Sequence, residues 1–284
     1  MVRLFFVLFM LFTSLSANDT LVPNIKSHED LLSAKIRSFL SDKKYEENRN
    51  FIEVVFEPKS SFYEGERVNA LKVVQTLKEN GLLNLYFKKP QEFRLNFKTS
   101  GSPLFFVKIM SDTLRNIGYY RYVTTASNLD ASEFIWSINL TSEYITDPLA
   151  LEAQLAKSSC KIIDIERNTN KEWTYVIDMT HAKLHVPVLQ NGEEIKLKRS
   201  LYAHWLNVSK ITKITITSPN RNSWYPYIAY YDSSLHLIEI IKKEKISRKL
   251  ALTMPKHATY IKISDLYTLK NVRDSLKLFP SGVR

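Results

Sequence analysis

The sequence predicts an α+β N-terminal region of small βαβ-type modules, followed by an all-β C-terminal sandwich of the immunoglobulin-like or jelly-roll kind. Helical apolar stripes alternate with short strand patterns as far as residue 180, and from residue 181 only short strands separated by turn residues follow. The charge changes at the same point: residues 181–284 hold 18 Lys and Arg against 7 Asp and Glu, whereas residues 18–180 hold 21 against 22. We therefore expect domains at 18–180 and 181–284, the second strongly basic.

Residues 1–17 have the pattern of a secretory signal peptide. Arg3 precedes the apolar run Leu4–Phe12, and small residues follow as far as Ala17. The run is too short to span a bilayer, which needs about twenty apolar residues. No later apolar run approaches that length. We therefore predict a periplasmic or secreted protein, with no transmembrane segment after the signal peptide is removed.

The N-terminal elements follow from apolar spacing and from helix start and stop residues. A first helix is expected from Ser27, with Leu32, Ile36 and Phe39 on one face. The patterns then predict strands at Phe51–Phe56, Leu82–Phe87, Phe93–Phe97, Tyr119–Thr124, Phe134–Leu140, Lys161–Glu166 and Trp173–Ile177, and helices at Arg67–Asn80, Ser102–Gly118 and Asp147–Ser158.

Two of these helices end alike, in Leu77-Lys-Glu-Asn-Gly81 and in Leu114-Arg-Asn-Ile-Gly118. Each end precedes an aromatic-rich strand pattern. The likeness indicates either duplicated strand–helix–strand subdomains or a chance similarity of helix ends.

The C-terminal region is predicted to hold seven or eight strands. Lys210–Thr217 alternates with period two, and Asn191-Gly192 is a hairpin signal. The expected strands are Lys183–Leu189, Ile195–Leu197, Ile211–Thr217, Tyr227–Tyr231, Leu235–Ile241, Leu250–Met254, Tyr260–Ile263 and Ser275–Phe279.

The residues that carry chemistry point to no reaction. The chain has no Gly-rich phosphate loop, no Gly-x-Ser-x-Gly and no His-Glu-x-x-His. His181 and His185, on a strand, would lie about 13 Å apart, too far to share a metal. The single cysteine, Cys160, permits no intrachain disulfide and is expected to be buried. We predict no catalytic residue, metal or cofactor.

The best binding candidate is the segment Trp224–Asp232, with one Trp and four Tyr beside a polar turn. Aromatic rings with polar tips suit sugar stacking or protein contact. We expect most of these rings to lie in the core, and Trp224 and Tyr225 to be exposed. The predicted binding residues are Arg221, Trp224, Tyr225, Tyr227, Lys242 and Lys243.

The α/β first part and the β-rich end carrying Trp224–Asp232 together resemble uncharacterised secreted or periplasmic proteins of epsilonproteobacteria. The resemblance is one of layout, and it supplies no activity and no site residue. Export directs the basic domain away from nucleic acid and towards envelope anions. We therefore predict a non-enzymatic envelope protein that binds an anionic lipid surface, an anionic glycan or an envelope protein. The alternative is a carbohydrate-active or cell-wall hydrolase with an appended binding sandwich, which would show two carboxylates at glycosidase spacing in a cleft.

Overall fold

The computed structural model describes residues 28–130 and 132–284, so the predicted signal peptide, 1–17, lies outside the described residues. The fold is mixed α+β, with all α-helices before residue 156. The α-helices are α1 (His28–Ser38), α2 (Asp42–Glu47), α3 (Arg49–Val55), α4 (Ala70–Glu79), α5 (Pro103–Asn116) and α6 (Pro148–Leu155). No α-helix among the described residues combines the length and hydropathy needed to span a bilayer.

Fifteen strands lie in the described residues. They are β1 (Tyr63–Glu64), β2 (Arg67–Val68), β3 (Tyr86–Thr99), β4 (Val123–Asp130), β5 (Glu133–Tyr144), β6 (Lys161–Thr169), β7 (Glu172–Asp178), β8 (Ile195–Leu197), β9 (His204–Asn207), β10 (Ile211–Thr217), β11 (Pro226–Tyr231), β12 (Leu237–Lys242), β13 (Lys249–Thr253), β14 (Tyr260–Asp265) and β15 (Leu276–Val283). Strands β1 and β2 form a small hairpin. The others form three sheets, which we call the first sheet (order β4-β5-β3-β7-β6), the second sheet (β12-β11-β14-β9) and the third sheet (β13-β10-β15-β8).

The first sheet packs one face into the N-terminal core. On β3, Phe93, Leu95 and Phe97 are buried and alternate with polar residues. They share a hydrophobic core with the inward faces of α4, α5 and α6. Cys160 is buried in the same core, as predicted, and burial raises the pKa of its thiol to about 12.

Three N-terminal strand predictions are wrong. Tyr119–Thr124 overlaps β4 only at Val123 and Thr124, because the chain from Tyr119 to Tyr122 connects α5 to that strand. Phe51–Phe56 lies mainly in helix α3, because Ile52 and Phe56 are buried four residues apart, which is a helical spacing. Leu82–Phe87 and Phe93–Phe97 are not separate strands. The single strand β3 covers Tyr86–Thr99, and Leu82–Leu85 precede it without regular structure.

The matched helix ends share one cap. After α4, Leu82 N donates to Leu77 O, and after α5, Tyr119 N donates to Leu114 O. Gly81 and Gly118 have positive φ angles of 68° and 102°. Each glycine therefore closes its helix in the left-handed conformation that only glycine adopts without strain.

The second and third sheets are entirely antiparallel and share one buried cluster. Seven predicted C-terminal strands are confirmed in position. Lys183–Leu189 is wrong as a strand and forms only an isolated bridge at Val188, since Pro187 interrupts the pairing. The Asn191-Gly192 hairpin is also wrong, because β8 pairs with the last strand, β15. Strand β9 was not predicted.

The two regions are in contact through α5 and the second sheet. Trp205 on β9 packs 4.9 Å from Tyr231, centroid to centroid, and Lys108 of α5 lies 5.2 Å from the Trp205 ring. Burial lowers the pKa of the Lys108 ammonium. Leu184 and Tyr260 of the C-terminal region both belong to the N-terminal core, and Leu184 N donates to the Tyr260 hydroxyl at 3.1 Å.

Candidate binding surface

Trp224, the most prominent predicted binding residue, is fully buried. Its ring belongs to the cluster between the second and third sheets, and its Nε1 donates to Ser264 O at 2.9 Å. The expectation that Trp224 is exposed is wrong. The core accepts this ring because a backbone carbonyl satisfies the one polar atom it carries.

The other predicted binding residues lie at the surface but do not converge on a cleft. Tyr227 and Lys242 face each other on neighbouring strands, with Nζ 5.7 Å from the ring centre. Tyr225 is half-buried and packs edge-on against Tyr267, centroids 5.0 Å apart. Arg221, in the β10–β11 turn, and Lys243 are exposed. These pairs leave the aromatic segment as a shallow strip at one end of the second sheet.

The other end of the second sheet's outer face is covered. Tyr231 and Trp205 pack against the N-terminal core, and Tyr260 belongs to that core. The open part of this face is therefore confined to the neighbourhood of Tyr227 and Lys242.

The third sheet has a face of different composition, which none of the residues in 28–130 and 132–284 buries. Ile214, Ile216, Leu252 and Leu278 point into the buried cluster, so the alternate side chains point outward. We call this outward set the lysine face. It consists of Lys196, Lys213, Thr215, Thr217, Lys249, Ala251, Thr253, Lys277, Phe279 and Ser281.

Strand register places three of the lysines in one row. Lys196 lies directly opposite Lys277, Lys277 opposite Thr217, and Thr217 opposite Lys249. Neighbouring strands are about 4.8 Å apart, so the row spans the sheet within about 15 Å. Like charges directly opposite each other on a sheet are destabilising. The fold therefore tolerates a repulsive arrangement at this surface.

Little negative charge offsets the row. Lys277 forms an ion pair with Glu194, just before β8, at 3.3 Å. None of the described residues that make up the lysine face is acidic. The four lysines are exposed, and Lys213 stands between Thr253 and Ser281.

An aromatic ring lies in the middle of this charged face. Phe279 is 40% exposed. It lies opposite Thr215 on the neighbouring strand and two residues along β15 from Lys277 of the row. Hydrated ammonium groups around one exposed apolar ring suit an extended anionic surface with an apolar layer beneath it. The flat shape suits a surface better than a small ligand, which needs a concave site.

A cavity of about 650 Å³ lies in the N-terminal region. Among its lining residues are Asp164 and Glu166 of β6. Lys35 Nζ forms an ion pair with the Asp164 carboxylate, at 2.6 Å. Glu152 is a carboxyl group whose pKa is raised by burial, but it accepts a hydrogen bond from Ile162 N and does not line this cavity.

We also searched the described residues for a metal site. No group of three or more His, Cys, Asp or Glu among them is placed to hold a metal ion. Besides Asp164, the carboxylates of Glu66 and Glu166 line the cavity. The hydrolase alternative requires two carboxylates at glycosidase spacing and stays a prediction.

The lysine face was not predicted from the sequence, although the sequence contains part of the pattern that identifies it. Lys213, Thr215 and Thr217 alternate with isoleucines, which assigns them to one face of β10. The row itself depends on which strands are neighbours, and periodicity does not carry that information. No protein-family model matches the chain, and no significant match was found among curated proteins or solved structures.

Proposed function

We propose that this protein is an exported, non-enzymatic envelope protein that binds an anionic phospholipid surface through its lysine face. Export rests on the signal-peptide pattern of residues 1–17. The observation that carries the binding proposal is the row formed by Lys196, Lys277 and Lys249 across an uncovered sheet.

The physical argument is electrostatic. Each lysine near an anionic membrane surface contributes about 1 kcal/mol of attraction at moderate salt. The same attraction relieves the repulsion between Lys196 and Lys277, which face each other. Phe279 adds apolar contact beneath the head groups, and this favours a lipid surface over a soluble acidic glycan.

We also propose that the second and third sheets form a jelly-roll sandwich. All eight strands pair antiparallel, in the orders β12-β11-β14-β9 and β13-β10-β15-β8. Every chain connection between β8 and β15, except that from β11 to β12, passes from one sheet to the other, which is the interleaving of two Greek keys. In this arrangement one face of the third sheet packs inward and the lysine face remains open.

Vesicle co-sedimentation tests the binding proposal. The purified protein should sediment with phosphatidylglycerol vesicles at about 50 mM salt, should be released at about 500 mM, and should not sediment with phosphatidylcholine vesicles. Release is expected because the Debye length falls well below the spacing between the protein charges and the head groups.

Two results would overturn the proposal. Equal binding to neutral vesicles would exclude an electrostatic mechanism. Binding to an immobilised acidic polysaccharide, without binding to phosphatidylglycerol, would replace the lipid with a glycan.

A further inference from the structure

Strand β12 is an edge strand of the second sheet, with no pairing partner on its outer side in the part of the chain that the structure describes, and it exposes apolar side chains. Leu237, Ile238 and Ile240 are 52%, 40% and 37% exposed. Protein sheets usually protect such edges with charges, prolines or bulges, because an open edge pairs with other strands. Here the strand carries two charges, Glu239 and Lys242, and one irregularity in its pairing with β11, beside Tyr230 and Tyr231.

The backbone of β12 has unused pairing capacity. Lys243 N donates to Pro226 O, so Lys243, Ile241 and Glu239 turn their backbone groups towards β11, and the alternation ends at the register shift that follows Glu239. By this alternation Ile240 and Lys242 direct their N–H and C=O groups to the open side. A further antiparallel strand could therefore bond to them directly.

The charges of the segment distinguish between pairing registers with a second copy. If a two-fold axis runs perpendicular to the sheet, paired residues must lie on the same face. A register centred on Glu239 puts Glu239 opposite Glu239, and one centred on Lys242 puts Lys242 opposite Lys242. Like charges in these positions are unfavourable. A register centred on Ile240 forms no direct charge pair, whereas one centred on Ile241 puts Glu239 opposite Lys243 twice.

We propose that β12 pairs antiparallel with β12 of a second copy of this chain, centred on Ile241, to form a symmetric dimer with one continuous eight-stranded sheet. Ile241 then meets Ile241, and Glu239 of each copy meets Lys243 of the other. The proposal goes beyond surface binding and does not depend on it.

The symmetry has a consequence for the lysine face. A two-fold axis perpendicular to the second sheet keeps the outer faces of both third sheets on the same side of the dimer. Both lysine faces could then contact one planar surface at once. Two linked sites bind far more tightly than one when the geometry lets them engage together.

Analytical ultracentrifugation of charge-swap variants tests the dimer. The wild-type protein should dimerise reversibly as its concentration rises. E239K and K243E should each weaken dimerisation at least roughly tenfold, because two attractive contacts become repulsive. The double variant E239K/K243E should restore it, because the swap re-creates both contacts.

The unfolding midpoint of each variant serves as the control for correct folding. It should change little, because Glu239 and Lys243 are exposed. As a second readout, I241C should form an intermolecular disulfide on oxidation. Cα atoms of such a pair are about 4.5 Å apart, within disulfide reach, and Cys160 is buried. A wild-type protein that stays monomeric at all concentrations would overturn the proposal and leave the edge to a different partner. A double variant that fails to recover dimerisation would also overturn it.

Discussion

The outer faces of the first and third sheets differ in how their polar and charged side chains are partnered. On the outer face of the first sheet, Asn96 bonds to Glu172, Thr174 and Ser137, and Asn139 bonds to Glu92. We call this the polar face. On the lysine face, Lys196 lies opposite Lys277.

The comparison distinguishes side chains of the polar face, which stabilise the fold, from side chains of the lysine face, which are available to a partner. On the polar face the side chains satisfy one another across β5, β3 and β7, so the network contributes to stability. On the lysine face Lys277 is paired with Glu194, and the structure shows no ion pair to a described residue for Lys196, Lys213 or Lys249. We take this excess of positive charge as the stronger indication of binding.

The largest effect on stability is expected from the polar face. N96A should lower the free energy of unfolding by about 1–3 kcal/mol, because Ser137, only 6% exposed, loses its hydrogen-bond acceptor. Urea unfolding followed by Trp fluorescence measures the change.

The neighbouring variant R94Q is the matched control. Arg94 is exposed and its Nε donates to Asn139 Oδ1 at 3.3 Å, so the change should remove only a surface contact and stay within about 0.5 kcal/mol. If N96A were as mild as R94Q, the polar face would not be the stabilising network described here.

A smaller effect of opposite sign is expected from the lysine face. K196Q should raise the free energy of unfolding by a few tenths of a kcal/mol, because it removes the repulsion of Lys277 and leaves the Lys277–Glu194 ion pair intact. The gain should shrink as salt is added.

Lys213 supplies the comparison for this variant. It faces Thr253 and Ser281, so K213Q should leave stability unchanged. A loss of stability in K196Q at low salt would show that Lys196 makes favourable contacts within the protein.

Much of the fold follows from local sequence signals. Ser102-Pro103 begins α5 as expected, and the Lys210–Thr217 alternation becomes β10 with Ile214 and Ile216 inside. Local signals failed where tertiary packing decided the outcome. Phe51–Phe56 is rich in strand formers, yet the burial of Ile52 and Phe56 together makes it helical.

The candidate site could be predicted only in part. The basic excess of residues 181–284 is visible in the composition, but its concentration on one face depends on long-range strand order. For Trp224 the prediction of exposure was wrong. An aromatic residue beside a polar turn is expected at the surface, but here the Ser264 carbonyl accepts the indole N–H and the ring is buried. Pairing between distant strands was the missing information in both cases.

The most direct test compares two triple variants in vesicle titrations at about 100 mM salt. K196Q/K249Q/K277Q removes the row, and K88Q/K89Q/K171Q removes the same charge from exposed lysines of the N-terminal region. At about 1 kcal/mol for each lysine, the first triple should weaken binding to phosphatidylglycerol vesicles roughly a hundredfold, and the second should change it little. Equal losses in both would mean that net charge, and not the lysine face, governs binding, and would contradict the account.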